Sequence, residues 1–399
     1  MKRIALAIAA SCAAPAWAAG STSFNPDLSL ILDGRYASLS EDPATYALPG
    51  FQLSGEAGPG ERGLALGHSE LVMSANVDDL FYGKLTAALH SEGTATNVEL
   101  EEAYVETLGL GQGFTVRAGR AYSGIGYLNA HHPHAWDFTD APLVYRGLFG
   151  DQLRDDGVQL RWVAPTDLYV QLGAEVGRGE FFPAGGAAND GRGTYAAFVK
   201  LGGDLNDSHS WQLGLSHWHA DVNGRSAGAH DHGGTATEIP TFTGNSTVNG
   251  IDFVWKWAPL GNPAQTNFKF QAEYFQRREE GDVELVGAPT QEITDYSGKQ
   301  SGWYAQAVYQ FMPHWRVGVR YDQLQADNSG SDAVLLEEAG LDDAGYKPSR
   351  SSVMIDWSHS EYSRVRLQFN QDKSRADVTD NQVYLQYVMS LGAHGAHQF

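Results

Sequence analysis

The residues of this chain best suited to chemistry are its histidines. There are fourteen, and they cluster. His131, His132 and His134 lie just ahead of Asp137 and Asp140. His217 and His219 form an H-x-H pair followed by Asp221, and His230, Asp231 and His232 come soon after. Imidazole and carboxylate are ligands for Zn²⁺ and other borderline divalent metals. On a strand, H-x-H puts both rings on one face. His131, His132, His134, His217, His219, His230 and His232 are therefore candidate metal ligands. Their spacing is looser than a fixed motif such as H-E-x-x-H, which suits a funnel that gathers metal better than a closed site. Ordinary loop histidines would also give this pattern. No cofactor is required by any motif. Ser123, His131 and Asp137 could supply a Ser-His-Asp set. No G-x-S-x-G marks a nucleophile elbow, however, and Gly-rich phosphate loops lack their strand–helix context. The expectation is no enzyme.

A second group of residues is charged, and its meaning depends on the elements that carry it. Val365, Leu367 and Phe369 alternate with Arg364, Arg366 and Gln368. Trp315, Val317, Val319 and Tyr321 alternate with Arg316, Gly318, Arg320 and Asp322. Strict alternation is the signature of a strand with one apolar and one polar face. Sixteen such segments can be counted from 27–37 to 381–392, and helix-period patterns are scarce. Connections alternate short and long: Asp78-Asp79, Pro165-Thr166 and Met312-Pro313 against 38–63, 122–154, 221–246, 279–298 and 327–348. A soluble sandwich has no reason to alternate loop lengths, whereas an outer-membrane antiparallel β-barrel has short turns at one end and long loops at the other. Trp211, Trp257, Trp303, Phe311, Trp315 and Trp357 fall at the ends of apolar faces, where aromatic belts sit. The fold expected is an all-β transmembrane barrel of about sixteen strands. Strand parity then turns Arg117, Arg161, Arg316, Arg320, Arg364 and Arg366 inward, with Glu70, Glu102, Glu106, Glu175, Asp252 and Glu273. With Asp137 and Asp140 of the 122–154 stretch, these are the candidate pore-lining charges. A basic arc opposite acidic groups sets a transverse field that favours small polar or charged solutes. Local ion pairing in a wet lumen is the plainer reading.

Lys2 and Arg3, an apolar run from Ile4 to Ala14, and Ala16-Trp17-Ala18 resemble a secretory signal peptide over 1–18. Residues 19–399 would then form one barrel domain. Cys12 is the only cysteine, so the exported chain would have neither disulfides nor thiolate metal sites. A net charge of −21 argues against nucleic-acid binding. The terminal Phe399 resembles the signal read by the barrel-assembly machinery, although Gly392 to His397 is smaller and more polar than usual there.

Glu102-Ala103-Tyr104-Val105-Glu106, a turn, and Phe114 to Arg120 (F-T-V-R-A-G-R) resemble a strand pair of the phosphate-selective porins. The resemblance covers about 25 residues. It implies that 122–154 is the inward-folded third extracellular loop, the constriction. It also implies passive diffusion of small hydrophilic solutes or ions across a Gram-negative outer membrane, among lipid and lipopolysaccharide, as a homotrimer. The His-rich loops and the G-A-H-G-A-H-Q-F tail resemble outer-membrane proteins linked to zinc limitation, often labelled TonB-dependent receptors. That resemblance implies a preference for divalent metal such as zinc. A TonB-dependent receptor has a large plug and about 22 strands, and too few residues precede the first strand here to form one. The remaining alternative is a surface metal-binding or enzymatic barrel with a closed lumen.

Overall fold

The computed structural model describes residues 26–54, 57–92, 95–185, 192–226, 238–288 and 290–392. Residues 1–18, expected as a signal peptide, and His230, His232 and Phe399 lie outside the described residues. The strands are β1 (Asp27–Leu39), β2 (Gly63–Leu66), β3 (Ser69–Asn76), β4 (Phe81–Glu92), β5 (Ala95–Thr107) and β6 (Phe114–Tyr122). Next come β7 (Arg154–Val163), β8 (Tyr169–Gly177), β9 (Thr194–Asn206), β10 (His209–Ser226), β11 (Ile239–Trp257) and β12 (Asn267–Val286). The last five are β13 (Glu292–Met312), β14 (Trp315–Ser329), β15 (Ser349–Ser360), β16 (Ser363–Lys373) and β17 (Asp380–Gly392). Each pairs antiparallel with its neighbours, and β1 closes the ring on β17. Both β2 and β3 pair with β1, so they are halves of one stave broken at Gly67-His68. Seventeen segments, two of them sharing a stave, make a sixteen-stave closed barrel.

The alternation seen in the sequence becomes the two faces of the wall. Leu367 is 48% exposed, while Arg366 and Gln368 beside it are 0% exposed. Val319, Tyr321, Val353, Leu385 and Tyr387 continue the outward apolar band. Left in water, such a band would cost about 25 cal/mol per Å² of apolar surface, and lipid removes that cost.

The strands outlast the band. β12 runs for 20 residues, about twice the 9–11 that a tilted strand needs to cross a bilayer. Much of the expected loops 221–246 and 279–298 is therefore strand: β10 continues to Ser226, β11 begins at Ile239, β12 ends at Val286 and β13 starts at Glu292. Above the membrane the outer face meets water and turns polar, while the inner face carries buried apolar residues such as Val222, Phe242 and Val283, so the outward-apolar alternation disappears. Arg277 and Glu279 are buried inside while Arg278 and Glu280 are exposed outside.

Residues 123–153, between β6 and β7, do not stand above the barrel. They fold into it with a short helix, α1 (Leu143–Phe149), every residue of which is buried. Gly150 ends α1 in the left-handed region at φ 63°, as glycine permits. Leu143, Val144, Leu148 and Phe149 pack with Phe275, Tyr304 and Leu324 of the wall and with Leu48 and Phe51 of the first loop. A second helix, α2 (Ala333–Glu338), covers the loop end beside them.

Candidate functional site: an inward loop across the bore

The inward loop is held by the wall along its whole path. At its start Glu175 accepts from Ser123 Oγ at 2.6 Å and from the Gly124 amide at 2.7 Å. Across the bore, Glu273 accepts from the amides of Tyr127 and Leu128, both at 2.9 Å, and from Tyr145 Oη. Lys200 donates to Gly126 O at 3.0 Å. These carboxylates do for loop amides what a neighbouring strand would otherwise do, which allows irregular backbone to be buried.

Further on, the loop crosses the arginine row. Arg364 donates to His134 O and Arg366 to Trp136 O. Asp137 accepts from Arg316 at 3.1 Å and pairs with Lys269. Asp140 accepts from Arg320 at 2.7 Å, Arg350 at 2.8 Å, Gln368 at 2.8 Å and Asn370 at 3.0 Å. Burial pushes both carboxyls up, but the arginines and lysine outweigh it and hold them well below the usual carboxylate range. Asp322 then caps α1 by accepting from the Leu143 amide at 2.9 Å. Arg277 donates to Leu148 O at the other end, where the helix dipole favours a cation.

The inward-facing charges near the turn end form a rim. Lys84, Arg117, Arg161, Lys269 and Arg316 have side-chain exposures of 19, 14, 12, 24 and 23%. Their carboxylate partners Glu102, Glu106, Asp137 and Asp356 show 5, 11, 4 and 0%. The cation is the more exposed partner in Lys84–Glu102, Lys269–Asp137, Arg316–Asp137 and Arg316–Asp356, while Arg117 and Arg161 are about as covered as Glu106. Lys256, also part-exposed, lies with its ammonium 6.0 Å from the ring of Tyr127. Strand parity had singled out the arginines; the same signal was available for Lys84, Lys200, Lys256, Lys269 and Arg350.

The histidines divide. His132 and His134 reach the stretch of wall formed by β3 and β5, beyond β17 and β1 from the arginine row. There they meet Glu70, Glu101, Glu102 and His68. Burial lowers the His132 pKa, but Glu70 and Glu102 outweigh it and hold the ring well above its usual value. His131 points elsewhere: its Nδ1 donates to Tyr127 O at 2.9 Å, and burial beside Lys269 pushes its pKa down to about 4. His217 and His219 lie on the outer face of β10, bonded to Asn249 and Thr247, apart from the loop cluster. Ser123, His131 and Asp137 are not brought into one hydrogen-bonded set, for Glu175, Tyr127 O and Arg316 respectively engage them.

His68 and Glu101 were absent from the expected ligand set. Glu101 breaks parity because the β4–β5 register shifts there: Thr86 faces Glu102, whereas Ala87 faces Leu100. Glu101 is the extra residue of this bulge, so it and Glu102 both point inward. Across β5, Gly119 is at φ +126° and a Cβ there would lie 2.2 Å from Ala103 O, so only glycine fits beside the bulge. His68 owes its place to the break between β2 and β3.

No family model matches the sequence. A protein of Aquifex aeolicus described as uncharacterized is 31% identical over 402 residues, spanning 94% of this chain and 80% of that protein. Among solved structures, a loop-deletion form of OmpT, an outer membrane protein of Vibrio cholerae, aligns with a TM-score of 0.56 at 12% identity, covering 92% of this chain and 99% of that one. The outer membrane channel DcaP of Acinetobacter baumannii gives 0.53 at 11% identity over 92% and 97%. The anion-selective porin from Comamonas acidovorans gives 0.53 at 12% identity over 92% and 99%. At these identities the likeness is one of fold.

Proposed function

From the premise that this chain belongs to the family of the Aquifex aeolicus protein, we propose that it is a porin of the Gram-negative outer membrane, passing small hydrophilic solutes down their gradients. The inward loop sets the width of the passage and the basic rim sets its charge preference. One observation carries this reading: a loop pinned deep in the bore by wall charges, next to cations more exposed than their partner anions. A barrel of sixteen staves is too wide for wall side chains alone to fill. Narrowing it by a loop leaves a passage whose walls act by charge and size, with no chemical step. The rim favours small anions and polar solutes over cations. That direction agrees with the sense of the fold neighbour from Comamonas acidovorans, which is described as anion-selective. The Vibrio cholerae neighbour is described in a trimer form, and a homotrimer is the assembly proposed here.

Conductance of the refolded protein in planar bilayers tests the proposal. Discrete single-channel steps are expected, smaller than those of a barrel of this size with its loop displaced. A membrane that takes up folded protein and shows no steps would instead support a closed, ligand-binding barrel. A channel that prefers divalent metal is the second reading, favoured by the meeting of His68, His132 and His134 with buried glutamates. The basic rim opposes transit of a divalent cation, so metal at that cluster would be held rather than passed.

A further inference from the structure

Where the inward loop meets the wall near β3 and β5, three side chains converge on one point and a fourth flanks them. His68 Nε2 is 3.3 Å from Glu70 Oε1 and 3.0 Å from Glu101 Oε1. One nitrogen and two carboxylate oxygens from these residues lie within 4.8 Å of one another. From the loop side, His132 Nδ1 comes within 3.1 Å of Glu70 Oε2 and 3.5 Å of Glu101 Oε2. We propose that His68, Glu70, Glu101 and His132 bind one first-row divalent transition metal of the zinc class, and that this ion fastens the inward loop to the barrel wall.

Three features of the site lead to a metal. The first is spacing. Ligands on a tetrahedral Zn²⁺ with bonds of about 2.0–2.1 Å stand roughly 3.3 Å apart, close to the 3.3 and 3.0 Å from His68 Nε2 to Glu70 Oε1 and Glu101 Oε1; His132 Nδ1, on the second oxygens of both glutamates, supplies the fourth ligand once those carboxylates turn. The second is hydrogen bonding. His132 Nδ1, Glu70 Oε2 and Glu101 Oε2 are buried and have no hydrogen bond of acceptable geometry, although they approach one another closely. Buried polar atoms are rarely left so. The third is charge. Glu70 is 0% and Glu101 2% exposed, and the nearest fixed cations serve other groups: Lys84 pairs with Glu102, and Arg154 pairs with Glu99 while standing 3.8 Å from Glu101. The two glutamates bring two negative charges into a dry site, and a divalent cation would offset them in place of the protons that His68 and His132 otherwise hold.

The surroundings orient the ligands. His132 Nε2–H donates to Glu102 Oε2 at 2.8 Å, which turns Nδ1 toward the site. A carboxylate on the far nitrogen of a ligating histidine fixes its tautomer and raises its basicity. His134 Nδ1–H donates to Glu70 Oε1 at 2.9 Å and stacks on His132 with centroids 5.7 Å apart. Glu101 enters the set only through the β5 bulge and His68 only through the broken stave. Both irregularities in this part of the wall therefore deliver ligands to one place, and bulges commonly re-aim a side chain near a functional site.

The inference does not depend on the channel reading, because metal binding in detergent requires no open pore. The full exported chain, refolded in detergent and stripped with a chelator, is titrated with Zn²⁺ by calorimetry and with Co²⁺ by visible absorption. One tight Zn²⁺ per chain is expected, together with d–d bands of tetrahedral intensity for Co²⁺. His68→Ala and Glu101→Gln should each weaken binding at least tenfold, whereas the double replacement His217→Ala, His219→Ala leaves it unchanged. Heat-modified gel mobility identifies variants whose barrel has not folded. If these do not fold, the wild-type Co²⁺ spectrum still decides. An octahedral spectrum, or no uptake by the stripped wild-type chain, overturns the proposal and leaves a His–Glu ion-pair network. Binding that survives loss of His68 and Glu101 but falls with His217 and His219 also overturns it.

Discussion

Asp140→Asn tests how the inward loop is fixed. Asp140 takes two arginines, a glutamine and an asparagine from β14, β15 and β16, and Arg146 of α1 lies 3.7 Å away. Its side chain is 2% exposed, and those of Arg320 and Arg350 are 1% and 0%. Asparagine keeps the shape and removes the charge. Arg320 and Arg350 must then share Asp322, at 3.1 and 3.5 Å. Removing one partner of a buried ion pair costs about 3–5 kcal/mol, because the other charge is left uncompensated. Asp322 remains, so the lower end applies, about 3 kcal/mol. At about 1.4 kcal/mol per factor of ten, the population with the loop detached rises on the order of a hundredfold. Hydrogen exchange of the α1 amides in detergent should accelerate by about that factor, since exchange follows local opening. In planar bilayers the variant should show brief excursions to higher conductance. A folded variant with unaltered α1 exchange and unaltered conductance would refute the idea that this network holds the loop.

Other consequences follow from the same wall. Lys256→Glu reverses one rim charge without removing an anchor of the loop, so the reversal potential in a KCl gradient should move toward the cation side. Glu273→Gln leaves an amide where one carboxylate accepts from Tyr127 N, Leu128 N, Tyr145 Oη and Tyr304 Oη. With charge-assisted hydrogen bonds contributing about 1.5–3 kcal/mol each, exchange at Tyr127 and Leu128 should rise at least tenfold. Asp137 and Asp140 have folded pKa values below their unfolded ones. Their contribution is therefore complete above about pH 4 and is lost as pH falls below that through the folded values. Loop protection, followed by hydrogen exchange corrected for intrinsic rate, should decline steeply only under that acid condition, and a decline confined to alkaline pH would contradict the assignment.

The barrel was legible because a membrane wall imposes period two on every strand that crosses it. Arg316, Arg320, Arg364 and Arg366 could be placed inward by parity alone, and the inward loop by its position after a strand pair and by its lack of alternation. Parity fails wherever one of its assumptions fails. Above the membrane the outer face of β10 to β13 is wet and no longer apolar, so the strand extension from Glu279 onward looked like a loop. At the β5 bulge two successive glutamates turn inward, and period two assigns Glu101 to the wrong face. α1 has seven residues, too short for a helical period to show beside the apolar residues around it. Histidine spacing could not reveal which distant segments meet: His132 and His134 find His68 and Glu70, some sixty residues away in sequence, while His217 and His219 face outward.

The central claim is that the inward loop leaves a narrow passage whose accessible charges are basic although the chain as a whole is acidic. The zero-current potential of single wild-type channels in a KCl gradient tests it most directly. Discrete small-conductance channels are expected, with a potential of the sign of chloride preference despite the net charge of −21. A potassium-selective potential, or folded protein in the membrane with no channels, would contradict it.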